Sequence, residues 1–215
     1  MTPSAVLFDC DGVLVDSEPM TLELLAEDLA NHGLTVSLAE MEKLFIGGTM
    51  RAVAAKARAM GADLPATWVD DFYERLYALL AEGTPLIPGI EEALDALDAA
   101  GIPYAVGSNG TGRKMQITLG QHRDLYARLS GLIFSGQDLG TPKPAPGLWL
   151  HAAQALGADP DRAVVVDDSA TGCVAARAAN MRCLGFAQHN DGASLVAVGA
   201  EVFHRMSDLP ALVGL

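Results

Sequence analysis

Cysteine is scarce in this chain. Cys10, Cys173 and Cys183 are an odd number with no CxxC spacing, so the sequence carries neither a disulfide framework nor a zinc pattern and suits a reducing compartment. Basic residues are outnumbered, and the formal charge of −13 at pH 7 repels polyanions at long range. Nucleic acid and anionic membranes are therefore not expected partners, although a bound divalent cation with a few basic side chains can still receive a small anion. No apolar run reaches membrane length, and Met1 leads directly into an apolar segment without a basic region and cleavage site. A cytoplasmic, unexported protein is the expectation. The histidines have no metal-ligand spacing, and neither GxxxxGK nor GxGxxG occurs, which removes the usual nucleotide loops. Val106 stands where a GxSxG elbow around Ser108 would need glycine, so a serine hydrolase is not supported.

What the chain does have is apolar material in short blocks: half of its 215 residues, enough for one core domain with a smaller insertion. Strand-like segments fall at Ala5 to Phe8, Ile102 to Gly107, Leu132 to Phe134, Ala163 to Val166 and Cys183 to Phe186. From the second onward they alternate with helix-period stretches, which predicts an α/β fold built on a doubly wound parallel sheet, Rossmann-like in layout. The gap between the first two strands is far longer than one crossover helix needs. Within it, Leu22, Leu25, Ala26 and Leu29 repeat at helical spacing, as do Val53, Ala57 and Met60, and then Phe72, Leu76, Leu79 and Leu80. The expected organisation is a core of residues 1–16 and 84–215 with a small helical cap at 17–83. The surplus acids Glu23, Glu27, Asp28, Glu91 and Glu92 read as solvated helix faces, and Ile90 to Ala100 as the core's first crossover helix, ended by Gly101.

Four segments carry chemistry. In DCDGVLVDSE, Asp9 to Glu18, Asp9 and Asp11 stand where a buried strand runs out, the place where α/β sites form and where carboxylates can ligate a hard cation such as Mg²⁺. Gly12 permits a sharp turn and Asp16 is a candidate cap for the next helix; a simple DG turn with capping acids is the alternative. Val106-Gly107-Ser108-Asn109-Gly110 ends the second strand in a loop whose Ser108 hydroxyl and N–H groups suit phosphate oxygens, or which is only a turn. Thr141-Pro142-Lys143-Pro144 holds a lysine between prolines just before a helix from about Ala145 to Leu156. Finally Asp167 and Asp168 follow Val164-Val165-Val166, with Ser169 placed to cap the helix beyond; adjacent acids there would repel unless a cation sits between them and the first pair. Cys10, between the two acids of the first segment, alternates away from them into the core.

With acids, hydroxyl, lysine and acids in this order, the chain resembles the haloacid dehalogenase superfamily over essentially its whole length. The resemblance implies that Asp9 is the nucleophile, Asp11 the general acid/base, Ser108 with Asn109 the phosphate binder and Lys143 the charge-neutralising catalytic residue that also contacts phosphate. It implies a Mg²⁺ cofactor ligated by Asp9, Asp11, Asp167 and Asp168, and it identifies the insertion with the family's first cap type. Asp9 would attack phosphorus and form an aspartyl-phosphate, needing no lowered pKa, while Asp11 protonates the leaving oxygen and then activates water.

Within the superfamily, Asp11 argues for phosphate esters over dehalogenation, which has no use for a leaving-group acid. β-Phosphoglucomutase-like relatives carry a histidine early in the first cap helix where Thr21 stands, which argues against a mutase, and a phosphonate hydrolase would need a cap lysine such as Lys43 or Lys56. Ser108 to Gly120, SNGTGRKMQITLG, together with Val166 to Ser169, looks most like bacterial sugar-phosphate phosphatases, among them enzymes acting on 6-phosphogluconate. In the cap, Gly48-Thr49-Met50-Arg51 resembles a substrate-facing turn where Arg51 would bind a distal group, or Arg51 is a solvated helix arginine; Glu18, Lys56 and Arg58 are weaker candidates of that kind. A receiver-type signalling module would place its acidic pair first and its phospho-acceptor later, which is not the order here. The expected partner is a small phosphate ester, handled by a monomer or small homo-oligomer.

Overall fold

The structure, a computed structural model, describes residues 2–37, 40, 41, 44 and 49–215. The chain divides into two compact units, Met1–Asp16 with Pro85–Leu215, and Ser17–Thr84. No helix among the described residues is long and apolar enough to cross a membrane.

The chain opens on strand β1 (Ala5–Phe8) and then enters the inserted unit, which contains helices α1 (Glu18–Asn31), α2 (Met50–Ala59) and α3 (Trp68–Glu82). Leu25, Leu29, Val53, Ala57, Phe72, Leu76 and Leu80 are buried, as their spacing predicts, whereas Met60 is exposed. Asp28 departs from expectation. It is buried, accepting a hydrogen bond from Trp68 Nε1 at 2.5 Å and another from Arg75 Nη1, so two donors from α3 replace the water a surface carboxylate would have.

Back in the core unit follow α4 (Ile90–Ala99), β2 (Tyr104–Ser108), α5 (Gly112–Leu119), α6 (Arg123–Arg128), β3 (Ile133–Ser135) and α7 (Gly147–Ala155). After them come β4 (Ala163–Asp167), α8 (Ala170–Ala178), β5 (Arg182–Phe186), α9 (Ala193–Ala197), β6 (Glu201–Phe203) and α10 (Leu209–Leu212). The sheet order is β3-β2-β1-β4-β5-β6 and every pairing is parallel. Alternation along the strands builds two cores. Val6, Phe8, Tyr104, Val106, Val164 and Val166 face α4, α5 and α6, while Ala5, Leu7, Ala105 and Val165 face α7 and α8. This is the doubly wound α/β arrangement the sequence predicts. β6 was not legible, because three residues with an exposed Glu201 carry too little period to read.

Helix punctuation follows local chemistry in part. Ser169 caps α8, its hydroxyl accepting from Gly172 N–H at 3.1 Å, as expected. Asp16 does not cap α1: the N-cap is Ser17, which makes no side-chain cap bond, and the Asp16 carboxylate lies 3.9 Å from His189 Nε2 instead.

Candidate active site

Three central strands end side by side, and the residues just beyond or at their ends form the site. Phe8 pairs with Val166 and Val106, and Asp9 N–H donates to Val166 O at 2.9 Å, so Asp9 is seated beside Asp167 by main-chain register alone. After Asp9 the chain turns back on itself: Leu14 and Val15 N–H both donate to Cys10 O, and Ile87 N–H donates to Leu14 O. Gly12 lies in that turn at φ 74°, and a Cβ built on it would fall 2.1 Å from Asp168 Oδ2. Only glycine permits both the backbone and the approach of that carboxylate.

Lys143 joins the acids. Its Nζ donates to Asp9 Oδ1 at 2.8 Å and to Asp167 Oδ2 at 2.7 Å, and it lies over the Trp149 ring, 4.4 Å from the centroid. Burial pulls the ammonium's pKa down, but the charges of Asp167 and Asp9 outweigh it and raise it above its ordinary value. Asp167 is fully buried and also accepts from Ser169 N–H at 2.9 Å and Ser169 Oγ–H at 2.6 Å. Asp9 is pushed up to about 7, chiefly by burial and further by Asp167 and Asp11, against the pull of Lys143. Burial thus opposes the full ionisation that its ordinary value implies, and the pull of Lys143 does not cancel it.

A cation held by these carboxylates would offset that burial. One oxygen from each of Asp9, Asp167 and Asp168 lies within 4.8 Å of the others, an all-oxygen set of the kind that suits Mg²⁺. The Asp11 carboxylate, expected among the ligands, is not in this group; its Oδ1 sits 2.8 Å from Lys114 Nζ.

On the neighbouring strand end, Ser108 is buried and its Oγ accepts from Gly110 N–H at 2.9 Å, folding the loop tightly. Asn109, a candidate for phosphate, also engages Lys143 through its side chain. Its Nδ2–H donates to Lys143 O at 3.0 Å and its Oδ1 accepts from Lys143 N–H at 2.8 Å, a two-point clamp on the lysine's main chain. Buried polar groups need partners, and these two residues supply each other's.

Two participants were not singled out from sequence. Trp149 reads simply as an apolar helix position. Lys114 had a signal: Thr111 caps α5, accepting from Lys114 N–H at 3.1 Å, and side chains in a helix's first turn lean back toward its N-terminus, here toward the loop of Ser108 to Gly110. Cys10 is fully buried in the core as alternation predicts.

In the inserted unit, Arg51 is exposed in the first turn of α2, whose N-cap Thr49 accepts from Ala52 N–H at 3.3 Å; Gly48 and Lys43 lie outside the described residues. Lys56 donates to Leu44 O at 3.0 Å, and Arg58 donates to Leu64 O and Pro65 O. Arg58 thereby holds a turn of its own unit. Thr21, at the mutase histidine's position, donates its hydroxyl to Ser17 O within α1.

Comparison with known proteins agrees with this constellation. Residues 3–180 match the haloacid dehalogenase-like hydrolase family. The chain is 31% identical to 6-phosphogluconate phosphatase of Escherichia coli over 97% of its own length and 93% of that protein. It is 30% identical to phosphoglycolate phosphatase of Xylella fastidiosa, over 88% of this chain and 84% of that one. A crystal structure of a family hydrolase from Deinococcus radiodurans with bound phosphate and sodium superimposes with a TM-score of 0.82 at 33% identity, covering 99% of this chain and 95% of that one. Strand-end acids, a buried lysine and a hydroxyl loop, on a chain that such relatives cover almost end to end, place this protein in the haloacid dehalogenase-like hydrolase family, as a phosphatase.

Proposed function

We propose that the chain is a Mg²⁺-dependent phosphatase that hydrolyses a small sugar phosphate of the 6-phosphogluconate type through an aspartyl-phosphate on Asp9. The observation that carries this reading is the placement of Asp9 at the carboxyl edge of the sheet, 2.8 Å from Lys143 and grouped with Asp167 and Asp168. Asp9 Oδ attacks phosphorus in line, and the P–O bond to the leaving alkoxide breaks. Asp11 gives its proton to that oxygen, and Lys143, the Ser108 hydroxyl and the N–H groups of the loop hold the equatorial oxygens. When bound by Asp9, Asp167 and Asp168, Mg²⁺ supplies the positive charge that keeps Asp9 ionised and neutralises phosphate. Water then takes the phosphoryl group from Asp9, with Asp11 as base.

The relationship to the Escherichia coli enzyme supports a sugar-phosphate substrate, and the net charge with three reduced cysteines suits a cytoplasmic protein, acting as a monomer or small homo-oligomer. Arg51 is the cap residue proposed to read the distal end of the substrate. Hydrolysis of p-nitrophenyl phosphate with Mg²⁺ is the direct test: turnover is expected to vanish in Asp9→Asn and to fall about 10²–10⁴-fold in Asp11→Asn. An inactive wild type, or a fully active Asp9→Asn, would refute the reading. A panel of 6-phosphogluconate, phosphoglycolate and β-glucose 1-phosphate assigns the substrate, and in Arg51→Ala the selectivity across it is expected to shift; an unchanged order removes Arg51 from recognition.

A further inference from the structure

Asp11 is the general acid/base of the proposed reaction, and a carboxylate in that role must be aimed as well as present. Its Oδ1 lies 2.8 Å from Lys114 Nζ, with the two side chains 19% and 15% exposed, so the pair is largely shielded from solvent. Lys114 is itself rigidly based. Thr111 caps its N–H, its own C=O accepts from Thr118 Oγ at 3.2 Å, and the loop before α5 is tied to the far side of the sheet edge. Ser135 Oγ donates to Gly110 O at 2.8 Å, and Gln137 Nε2 donates to Asn109 O at 2.6 Å. Between these groups sits Gly110. A Cβ built on it would lie 3.2 Å from Ser108 Oγ, 3.6 Å from Asp11 Oδ2 and 3.7 Å from Lys114 Cδ, so the phosphate-loop hydroxyl, the acid/base and the lysine surround one point.

Resting on the phosphatase reading above, we propose that Lys114 is a positioning residue that holds the Asp11 carboxylate in the orientation needed to accept a proton from the water that hydrolyses the aspartyl-phosphate. The orientation matters most in the second half of the reaction, because p-nitrophenolate leaves readily without an acid, whereas the attacking water depends on an acceptor held in place. There the water oxygen bonds to phosphorus and the P–O bond to Asp9 breaks, returning its electron pair to the Asp9 carboxylate. The water's proton goes to Asp11, and inorganic phosphate leaves. Lys114 makes no bond to any reacting atom in this step; it fixes the acceptor.

Steady-state and rapid-quench kinetics on p-nitrophenyl and phenyl phosphate with Mg²⁺ test this. In Lys114→Met, kcat is expected to fall about tenfold or more, toward the range that loss of a general base gives, and to the same value for both esters. A pre-steady-state burst and acid-stable phosphoenzyme, seen by intact mass, should accompany it, with kcat/KM for p-nitrophenyl phosphate held within about threefold, since that ratio reports only the first half of the reaction. Lys114→Arg should restore kcat. Equal losses in kcat and kcat/KM with no accumulated phosphoenzyme, or no loss at all, would overturn the assignment while leaving a phosphatase. A wild type inactive on both esters would overturn the assignment and the phosphatase reading together. Should Lys114→Met fail to fold, Lys114→Gln, which keeps a donor but drops the charge, is read by the same criteria.

Discussion

Gly12 shows how little room the site has. With φ at 74° and Asp168 Oδ2 at 2.1 Å from the place a Cβ would take, alanine there strains the turn and pushes aside a carboxylate of the proposed metal site. The consequence is measurable through metal binding. Asp9, raised to about 7 by burial, holds a proton more readily in the folded metal-free protein than in the unfolded chain, and a cation bound at the proposed site would have to displace that proton. Stabilisation by Mg²⁺ is therefore weaker below about pH 7 and stronger above it. In thermal melts, saturating Mg²⁺ should raise Tm more at pH 8 than at pH 6, by an amount corresponding to about 2.7 kcal/mol when free Mg²⁺ is 100-fold above Kd. Gly12→Ala should lose most of this increment while keeping its far-UV circular dichroism. An increment independent of pH would remove Asp9 from the ligand set.

At the scale of elements, the strands that bear the site were legible because each ends a short apolar block on a polar residue of definite chemistry, as in Phe8 before Asp9 and Val166 before Asp167. β6 was not, since its place at the sheet edge is decided by pairing with β5 and by a side-chain clasp rather than by its own pattern. Arg182 on β5 donates two hydrogen bonds to Glu201 on β6, Nε to Oε1 at 2.8 Å and Nη2 to Oε2 at 2.5 Å. The hydrogen bonds from Arg182 lower the Glu201 pKa below its ordinary 4.5. A depressed acid stabilises the fold above its unfolded pKa and ceases to do so as pH falls through the folded one. With side chains 39% and 57% exposed, solvent screening limits the pair; denaturant unfolding of Glu201→Gln should show a loss of about 0.2–1 kcal/mol at pH 7. The difference from wild type should fade on acidification below the carboxylate range; a loss that persists there would mean that packing, not charge, holds the edge strand.

The whole molecule keeps its thiols inside. Cys10, Cys173 and Cys183 are each at most 4% exposed, which shields them from reagents, and burial pushes the Cys10 thiol well above its ordinary value, so little Cys10 thiolate forms in the folded state. Alkylation by iodoacetamide at pH 8 should thus label none of the three in the native protein and all three in denaturant, with a native labelling rate that tracks global unfolding. Rapid modification of Cys10 without loss of structure would show that the turn after β1 opens locally.

The strand-end acids, the hydroxyl, the lysine between prolines and the order in which they come were legible in sequence alone, because each is announced locally by an apolar strand, a turn glycine or a proline. Which groups those residues touch was decided only by tertiary structure. Asn109 reads in the sequence only as a candidate for phosphate, and it is the loop before α7 that brings the Lys143 main chain to both of its amide atoms, 34 positions away. Asp28 looked solvated until Trp68 and Arg75 on another helix closed over it. Asp11 reads in the sequence as one more strand-end acid, and it is α5 that sets Lys114 against its carboxylate. In each case a short polar side chain has several partners of equal chemical merit. Periodicity states only which way that side chain points; the packing of distant elements determines which partner is within 3 Å or so, where a hydrogen bond has its strength.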